Sequence, residues 1–302
     1  MTTVSAIIPN YNYAPHVAAA VDSVLQQTHR DIEIIVVDDG SSDGSVDILR
    51  GYGSRITLLQ QKNAGVSAAR NRGIQAAKGE FVALLDADDR WHPDKITRQL
   101  ALLRPDVGLV HCWARLIDGN GKTVGSVRTG GRGYLLDQIA QLRGTILGGG
   151  SSALLPKRVF EELGYFDPGL STSADYDMWR RVLSRYRAEM VEAELFDYRV
   201  HAGGMHLNVD VYERDVFRAL DRMFTDPISA AARPHHRRAY SQFYWTLALE
   251  HARLRRWGPA VKRAINSVAL SPGPALATLG RRLRAKGGDD GLLPSDERAE
   301  RS

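Results

Sequence analysis

Apolar runs alternate with helical patterns in the first third of the chain. Four runs rich in Ile, Val and Leu are typical of buried strands: VSAIIP (4–9), IEIIVVDD (32–39), ITLLQQ (56–61) and EFVALLD (80–86). Apolar residues recur at helical spacing over 18–25, and residues 65–79 read as a second helix that ends at Gly79 as its C-cap. This order predicts an α/β fold with an open, mostly parallel twisted sheet and helices on both faces.

The pattern changes along the rest of the chain. Residues 107–127 read as a hairpin turned by Gly119–Asn120–Gly121, and residues after Val211 are helical throughout. Two amphipathic helices parted by Gly258 and Pro259 are predicted there, and the polar, aperiodic stretch from Gly287 predicts disorder. We therefore expect an α/β domain over 1–210, a helical region over 211–286 and a disordered tail over 287–302.

Composition narrows the class of protein. Hydrophobic residues make up 43% and charged residues 25%, which are ordinary globular values, and the single Cys112 excludes an internal disulfide and a cysteine-rich metal cage. We expect no signal peptide, because Thr2, Thr3 and Val4 run straight into a strand-like segment, and no apolar run of the sequence reaches the roughly 20 residues of a membrane span. We therefore expect a cytoplasmic protein.

The net charge of +5 is unevenly spread. From Ile228 onward there are 14 Lys or Arg and 6 Asp or Glu, which gives +8 and leaves 5 − 8 = −3 for the preceding part. Such a basic region is typical of a solvated helix face or of contact with an anionic membrane. Nucleic acid is not expected as a partner, because no recognised nucleic-acid-binding module accompanies the charge.

Polar clusters follow three of the predicted strands: PNYNY (9–13), DDGSSD (38–43) and DADD (86–89). Ligands of open α/β sheets bind beyond the carboxyl ends of the strands, so all three clusters should line one crevice. The first strand lacks the G-x-G-x-x-G of dinucleotide-binding proteins. Tyr11 instead offers a flat face on which a base could stack, and Asp39 could accept a hydrogen bond from a ring N–H or a hydroxyl.

The acidic cluster Asp86, Asp88 and Asp89 indicates a cation. Closely packed carboxylates repel one another, and oxygen ligands without Cys or paired His suit Mg²⁺ or Mn²⁺. A substrate diphosphate would complete such a site, as in a reaction with a departing nucleoside diphosphate. The alternative is that Asp88 and Asp89 cap the helix that begins near His92–Pro93.

Four ordered blocks resemble one family. VSAIIPNYNYAPHVAAAVDSVLQQTHRDIEIIVVDDGSSDGS, NAGVSAARNRGIQAAKGEFVALLDADDRWHPDK, GYFDPGLSTSADYDMWRRV and YRVHAGG are similar to family 2 glycosyltransferases, which have the Rossmann-like GT-A fold. The resemblance covers roughly residues 4 to 205. It implies a GT-A sheet, here with a C-terminal helical extension, and a nucleoside-diphosphate sugar as donor.

The resemblance also assigns roles to residues of this sequence. It implies that Pro9 and Tyr11 border the nucleotide base and that Asp39 contacts it. Asp86 to Asp89 occupy the D-x-D region, where carboxylates contact the ribose and the metal; Asp88 is the expected principal Mn²⁺ or Mg²⁺ ligand, with Asp89 supporting. Arg70 is the candidate for the diphosphate or its neighbourhood.

The same resemblance implies that Asp175 activates the acceptor. An attacking alcohol must lose its proton, and a carboxylate within hydrogen-bond reach can take it. Many members of the family have Glu-Asp here, whereas this chain has Ala174–Asp175. Asp177 is the competing carboxylate, with a salt bridge to Arg180 or Arg181 as its structural alternative.

His201 resembles a family histidine near the phosphates or the metal, and a purely structural role is its alternative. The expected enzyme is an inverting, metal-assisted glycosyltransferase that acts on a saccharide or lipid-linked saccharide, with peripheral contact at the inner face of the membrane as a further expectation. Two other classes stay open: a catalytically silent sugar-nucleotide-binding or scaffold protein, and a phosphotransferase that uses Asp86 to Asp89.

Overall fold

The structure is a computed structural model that describes residues 3–142, 146, 149–200 and 209–277. These residues pack as two units that divide after His236. The first unit is built on one nine-stranded sheet whose main path runs β3-β2-β1-β4-β8-β6-β9-β5, with β7 paired to β6. Its strands are β1 Val4–Asn10, β2 Ile32–Asp38, β3 Thr57–Gln60, β4 Phe81–Leu84, β5 Arg90–Trp91, β6 Val107–Ile117, β7 Thr123–Val127, β8 Leu154–Pro156 and β9 Arg187–Arg199.

The first four strands are parallel and confirm the predicted α/β sheet. β1 lies between β2 and β4, and it is buried along its whole length. Its alternate side chains point to opposite faces, as the period of a strand requires. Val4, Ala6 and Ile8 pack in one core with α1 (Ala14–Leu25), whereas α3 (Val66–Ala76) approaches Ile7 on the other face. Helices therefore cover both faces, and the carboxyl ends of β1, β2 and β4 meet at one edge.

The other strands make the sheet mixed. β8 pairs antiparallel with β4 and with β6, whereas β6 and β9 run parallel over most of their length. The predicted hairpin is confirmed: β6 and β7 are antiparallel, and the turn is closed by Gly121 N, which donates to Asp118 O over 3.0 Å. β5 pairs with the end of β9, so the segment after the acidic cluster is fixed to the far end of the sheet.

The predicted C-cap at Gly79 is wrong. The helix α3 ends at Ala76 with Ala77 as its cap. The N–H of Gly79 donates instead to Ser5 Oγ over 2.9 Å, and a Cβ at this position would lie 2.7 Å from that oxygen. The residue is therefore glycine because the chain passes against β1 on its way into β4.

The remaining helices of the first unit support the sheet. They are α2 Ser45–Arg50, α4 Lys95–Leu100, α5 Leu136–Ala140, α6 Arg158–Leu163, α7 Ala174–Leu183 and α8 Val209–Thr225. We expected a boundary near residue 210, but α8 packs with the first unit, because Asp215 accepts hydrogen bonds from Ser171 and Thr172. The expectation of disorder over 287–302 lies outside the described residues.

The second unit contains α9 (His236–Arg253) and α10 (Trp257–Leu270). The predicted break at Gly258 and Pro259 is wrong, because both residues lie in the first turn of α10. A proline is tolerated there, since the first N–H groups of a helix have no partner within it. Over the described ranges, no helix combines the length and the apolar character that a membrane span needs.

Candidate functional site

Three loops meet where β1, β2 and β4 end. Asp39 N donates to Asn10 O over 2.8 Å, and Leu85 N donates to Ile7 O over 3.0 Å, so the chain stays paired as it leaves the sheet. Pro9 is buried in β1 beside Val37. Tyr11, two residues on, is 47% exposed and presents its ring to solvent. The edge of the sheet thus offers an accessible aromatic face, as a stacking role needs.

Asp39 is held by the loop before α3. Its Oδ1 accepts from Gln61 Nε2 over 2.7 Å and from Ala64 N over 2.9 Å, and its Oδ2 accepts from Gly65 N over 2.8 Å. A carboxylate has about four acceptor positions. The described residues use three of them, which leaves Asp39 Oδ2 the capacity for one further donor.

The acidic cluster forms a tight turn that two other segments hold. Asp89 N donates to Asp86 O over 3.0 Å, which closes the turn, and Asp86 N donates to Ser151 Oγ over 3.0 Å. Arg199, at the end of β9, donates its N–H to Asp89 Oδ1 and its Nε–H to Asp88 O, both over 2.9 Å. The α4 helix begins at Lys95 with Asp94 before it, so Asp88 and Asp89 do not cap it.

Negative charge is concentrated in this turn. Burial, followed by the charges of Asp88 and Asp86, raises the pKa of Asp89 well above its usual range. Asp89 Oδ2 is buried and has no hydrogen-bond partner in the part of the chain that the structure describes. Burial and the same carboxylates also raise the pKa of Tyr13 and of Tyr198. The turn therefore combines strong mutual repulsion with an unsatisfied oxygen.

Arg70, in α3, joins the acidic turn to α7. Its Nη2 donates to Asp86 Oδ1 over 2.8 Å, and its Nη1 donates to Asp175 Oδ1 over 3.0 Å. The side chain is only 3% exposed, and its guanidinium lies 5.3 Å from the centroid of the Phe166 ring. The two carboxylates are thereby fixed on either side of one buried cation, since a guanidinium holds its donors in a rigid fork.

Asp175 is the second residue of α7, and its carboxylate is 23% exposed. Burial raises its pKa above the ordinary value of 3.8; Arg70 opposes this shift, and Asp86 adds to it. Gly149, with a φ of +54°, lies against this carboxylate: a Cβ there would stand 3.0 Å from Asp175 Oδ2 and 3.8 Å from Asp86 Oδ2. The glycine lets the loop approach both carboxylates.

Asp177 takes the structural role given as its alternative. It is 2% exposed and pairs with Arg180 Nη2 over 2.9 Å and with Arg181 Nη2 over 3.1 Å. Both oxygens are engaged in buried ion pairs on the face of α7 away from Asp175. The predicted salt bridges are confirmed. Asp175 is the carboxylate of this helix that Arg70 links to the acidic turn.

The carboxylates of the acidic turn have the chemistry of ligands for a divalent cation. Among the described residues, no three His, Cys, Asp or Glu side chains are already grouped as a metal site. The donor set nevertheless suits Mg²⁺ or Mn²⁺, which takes one or two carboxylates and completes its shell with water and substrate phosphate. The buried Asp89 Oδ2 without a partner, and the repulsion around it, are what such a cation would relieve. Asp88 and Asp89 would hold it.

Sequence reasoning missed three residues of this site. Tyr13 and Tyr198 stand close enough to the carboxylates to have their pKa raised by them, and Arg199 holds the acidic turn. Tyr13 and Tyr198 were visible as the polar-tipped aromatic residues of PNYNY and YRVHAGG, but nothing in those blocks marks what they face. His201 lies outside the described residues.

Solved structures similar to this one define its class. S. aureus TarS, residues 1–349, gives a TM-score of 0.61 at 17% identity, over 98% of this chain and 95% of that one. The mannosyltransferase PcManGT from Pyrobaculum calidifontis, solved with GDP-Man and Mn²⁺, gives 0.62 at 20% identity, over 95% and 81%. Likeness at such identities shows the fold alone. The fold is that of the GT-A glycosyltransferases.

Sequence comparison gives the family. The family model described as "Glycosyl transferase family 2" matches residues 5–164 of this chain. An uncharacterized glycosyltransferase of Rickettsia typhi is 36% identical over 205 residues, 66% of this chain and 64% of the relative. One of Nostoc is 34% identical over 225 residues, 68% of this chain and 67% of the relative. The chain thus spans slightly less than two thirds of the Rickettsia relative. It belongs to the family 2 glycosyltransferases, which are transferase enzymes.

Proposed function

We propose that this chain moves a sugar from a nucleoside-diphosphate sugar to a hydroxyl of a saccharide or lipid-linked saccharide, with inversion at the anomeric carbon. The observation that carries the proposal is the buried Arg70, which holds Asp175 of α7 next to Asp86 of the acidic turn. One carboxylate of this arrangement faces the crevice as a base, and the others offer a place for the donor. A transfer reaction needs both functions within one site.

In the proposed reaction, Asp175 acts as the general base. Its Oδ1 accepts from Arg70, so Oδ2, beside Gly149, is the oxygen available for the acceptor. The acceptor O–H passes its proton to Asp175 as its oxygen bonds to the anomeric carbon. The bond from that carbon to the diphosphate breaks, and its electron pair leaves with the nucleoside diphosphate. A single displacement of this kind inverts the configuration.

Donor binding is proposed for the other residues of the strand ends. Tyr11 and Pro9 would border the base, Asp39 would use its remaining acceptor position on it, and Asp86 would contact the ribose. Mn²⁺ or Mg²⁺, held by Asp88 and Asp89, would supply positive charge to the departing diphosphate. A role of His201 at the phosphates or metal stays a prediction, as does a cytoplasmic location. Support comes from the neighbours: TarS has been solved with UDP and with UDP-GlcNAc, and PcManGT with GDP-Man and Mn²⁺.

The substitution Asp175→Asn tests the base. It keeps the shape and one acceptor oxygen but cannot take a proton. With UDP-GlcNAc and GDP-Man as donors, Mn²⁺ and a panel of saccharide acceptors, we expect kcat to fall by about 10²–10⁴-fold, the usual contribution of a general base. Nucleotide-induced thermal stabilisation should not change. Asp47→Asn is the matched control, because Asp47 is 82% exposed in α2.

Two results would contradict the proposal. An unchanged kcat in Asp175→Asn would remove the base from Asp175. A wild-type chain that binds nucleotide and cation but transfers sugar to no acceptor, and does not release nucleoside diphosphate, would be a silent sugar-nucleotide-binding protein.

A further inference from the structure

The α10 helix buries its small residues and exposes its large ones. Ala260 and Ser267 are buried, and Ser267 Oγ donates to Ser241 O of α9 over 2.8 Å. Ser241 Oγ donates in return to Ser267 O over 3.0 Å. A helix that only completes a protein core does the opposite, because burial of large apolar side chains stabilises the fold most.

The outward side of α10 is an apolar stripe. Trp257 is 65% exposed, Val261 57%, Ile265 63% and Val268 48%. These positions follow one another at intervals of four, four and three residues, so they lie on one face of the helix. The stripe is about 17 Å long at the rise of an α-helix. Its size and continuity are typical of an interaction surface rather than of scattered exposed residues.

The charge of the sequence that contains α10 favours one kind of partner. Between Glu250 and Asp289 the sequence has nine Lys or Arg residues and no Asp or Glu. Residues 237–302 hold 13 basic and 6 acidic residues, which gives +7 and leaves 5 − 7 = −2 for residues 1–236. Lys262, which is exposed, adjoins Val261 in the stripe. The net charge is thus positive only in the region that carries the apolar face, and it is slightly negative in residues 1–236.

We propose that the α10 stripe docks this chain on an anionic membrane surface. A helix lying in the interface places an aromatic and aliphatic face among the acyl chains and its Lys and Arg near the anionic headgroups. Trp257, at the start of α10, has the amphipathic ring that is enriched at such interfaces. A second copy of the chain fits less well, because it would bring two strongly basic segments together.

The proposal stands apart from glycosyl transfer and does not depend on the donor or acceptor. It concerns a surface of the second unit, whereas the proposed reaction uses residues of the first. Failure of either one therefore leaves the other standing.

Vesicle co-sedimentation of the full chain tests the docking surface. We expect the wild type to bind vesicles of phosphatidylglycerol and phosphatidylcholine at about 50 mM salt, and much less at about 500 mM, where screening is strong. Vesicles of phosphatidylcholine alone should bind little. Ile265→Glu should lower the partition coefficient by about tenfold or more, because it puts a charge where an aliphatic side chain would enter the membrane. Val124→Glu is the matched control, since Val124 is 58% exposed on β7 and the charge change is the same.

Three results would overturn the docking surface. One is no binding of the wild type to anionic vesicles at low salt, and another is equal binding by Ile265→Glu and Val124→Glu. The third comes from light scattering without vesicles: a stable dimer that Ile265→Glu converts to a monomer would show that a second copy covers the stripe. Circular dichroism of each variant establishes that the helices are intact.

Discussion

Arg70 Nη1 donates to Asp175 Oδ1 over 3.0 Å, and this pair ties α3 to the first turn of α7. The guanidinium is almost fully buried, so the interaction is weakly screened. It favours the ionised form of Asp175 against the burial that raises its pKa. We therefore propose that Arg70 is a positioning residue that keeps the proposed base charged and in place.

Replacing Arg70 should change how transfer depends on pH. The base works only when it is deprotonated, so the rate falls as the pH drops through the pKa of Asp175. Removing the cation destabilises the anion, which raises that pKa further and moves the acid limb to higher pH. Arg70→Gln should show this shift and a kcat lower by about 10²-fold, measured as the pH profile of kcat.

Arg72→Gln is the control for this experiment. Arg72 lies in the same helix and donates to Gln60 O, outside the acidic turn. The acid limb of the Arg72→Gln profile should coincide with that of the wild type. An Arg70→Gln profile that keeps the wild-type limb, with only its height lowered, would show that Arg70 is structural and does not set the charge of Asp175.

The glycine beside Asp175 gives a second prediction. Gly149→Ala would place a Cβ 3.0 Å from Asp175 Oδ2 at a φ of +54°. Gly53→Ala is matched, because its φ is +56° and, among the described residues other than its two chain neighbours, no atom lies within 4 Å of the new Cβ. Both should lose about 1–2 kcal/mol of unfolding free energy from backbone strain. Only Gly149→Ala should also lower kcat, by about tenfold or more, since a small misplacement of a reacting group is costly. Equal activity of the two variants would contradict the close approach.

Asp89→Asn should have opposite effects with and without the cation. In EDTA, the charge of Asp89 costs stability as the pH rises above 3.8, because its pKa is raised in the folded state. Asparagine removes this cost, so the variant should unfold at a higher temperature than the wild type near neutral pH. With Mn²⁺ and a nucleoside diphosphate, the wild type should gain more stability than the variant. A variant that is less stable in EDTA, or that gains as much from Mn²⁺, would speak against a cation at Asp89.

A further prediction concerns the contribution of Asp197 to the stability of the fold. It is 4% exposed and accepts from Arg90 Nη2 over 2.8 Å and from Arg115 Nε over 2.7 Å, with His92 Nε2 also within 2.8 Å. Hydrogen bonds from His92 and Arg115 keep its pKa far below 3.8 although burial opposes the shift. Asp197→Asn should lower the unfolding free energy by about 1–3 kcal/mol at neutral pH.

The pH dependence of this stabilisation follows from the lowered pKa of Asp197 in the folded state. A lowered pKa stabilises the fold above the unfolded value of 3.8, and the stabilisation is lost as the pH falls through the folded value. Urea unfolding of both proteins should therefore converge as the pH drops below about 4. Asp47→Asn, on an exposed residue, should track the wild type throughout. A gap between wild type and Asp197→Asn that stays constant down to low pH would contradict the ion-pair assignment.

The sequence predicts the parallel half of the sheet well, because β1, β2 and β4 are mostly apolar runs that end in polar residues. That order alone brings Tyr11, Asp39 and Asp86 to one edge. Arg70 is different: its partners lie 16 and 105 residues away, so its direction depends on how α7 packs. The positions of Tyr198 and Arg199 cannot be predicted from the sequence for the same reason. Only the pairing of β9 with β5 and β6 brings the end of β9 to the acidic turn. Local sequence patterns predict the strands and helices, whereas long-range pairing determines where their side chains lie.

Thermal unfolding with nucleotides tests most directly that the strand-end crevice binds a nucleoside diphosphate with a divalent cation. Wild type and Asp88→Asn would each be heated with UDP, dTDP or GDP, in Mn²⁺ or in EDTA. A ligand at one hundred times its Kd stabilises by about 2.7 kcal/mol, which is readily measured. We predict a shift with one nucleotide that requires Mn²⁺ and is lost in Asp88→Asn. No shift with any nucleotide, or a shift that is equal in EDTA and in Asp88→Asn, would contradict the proposed site.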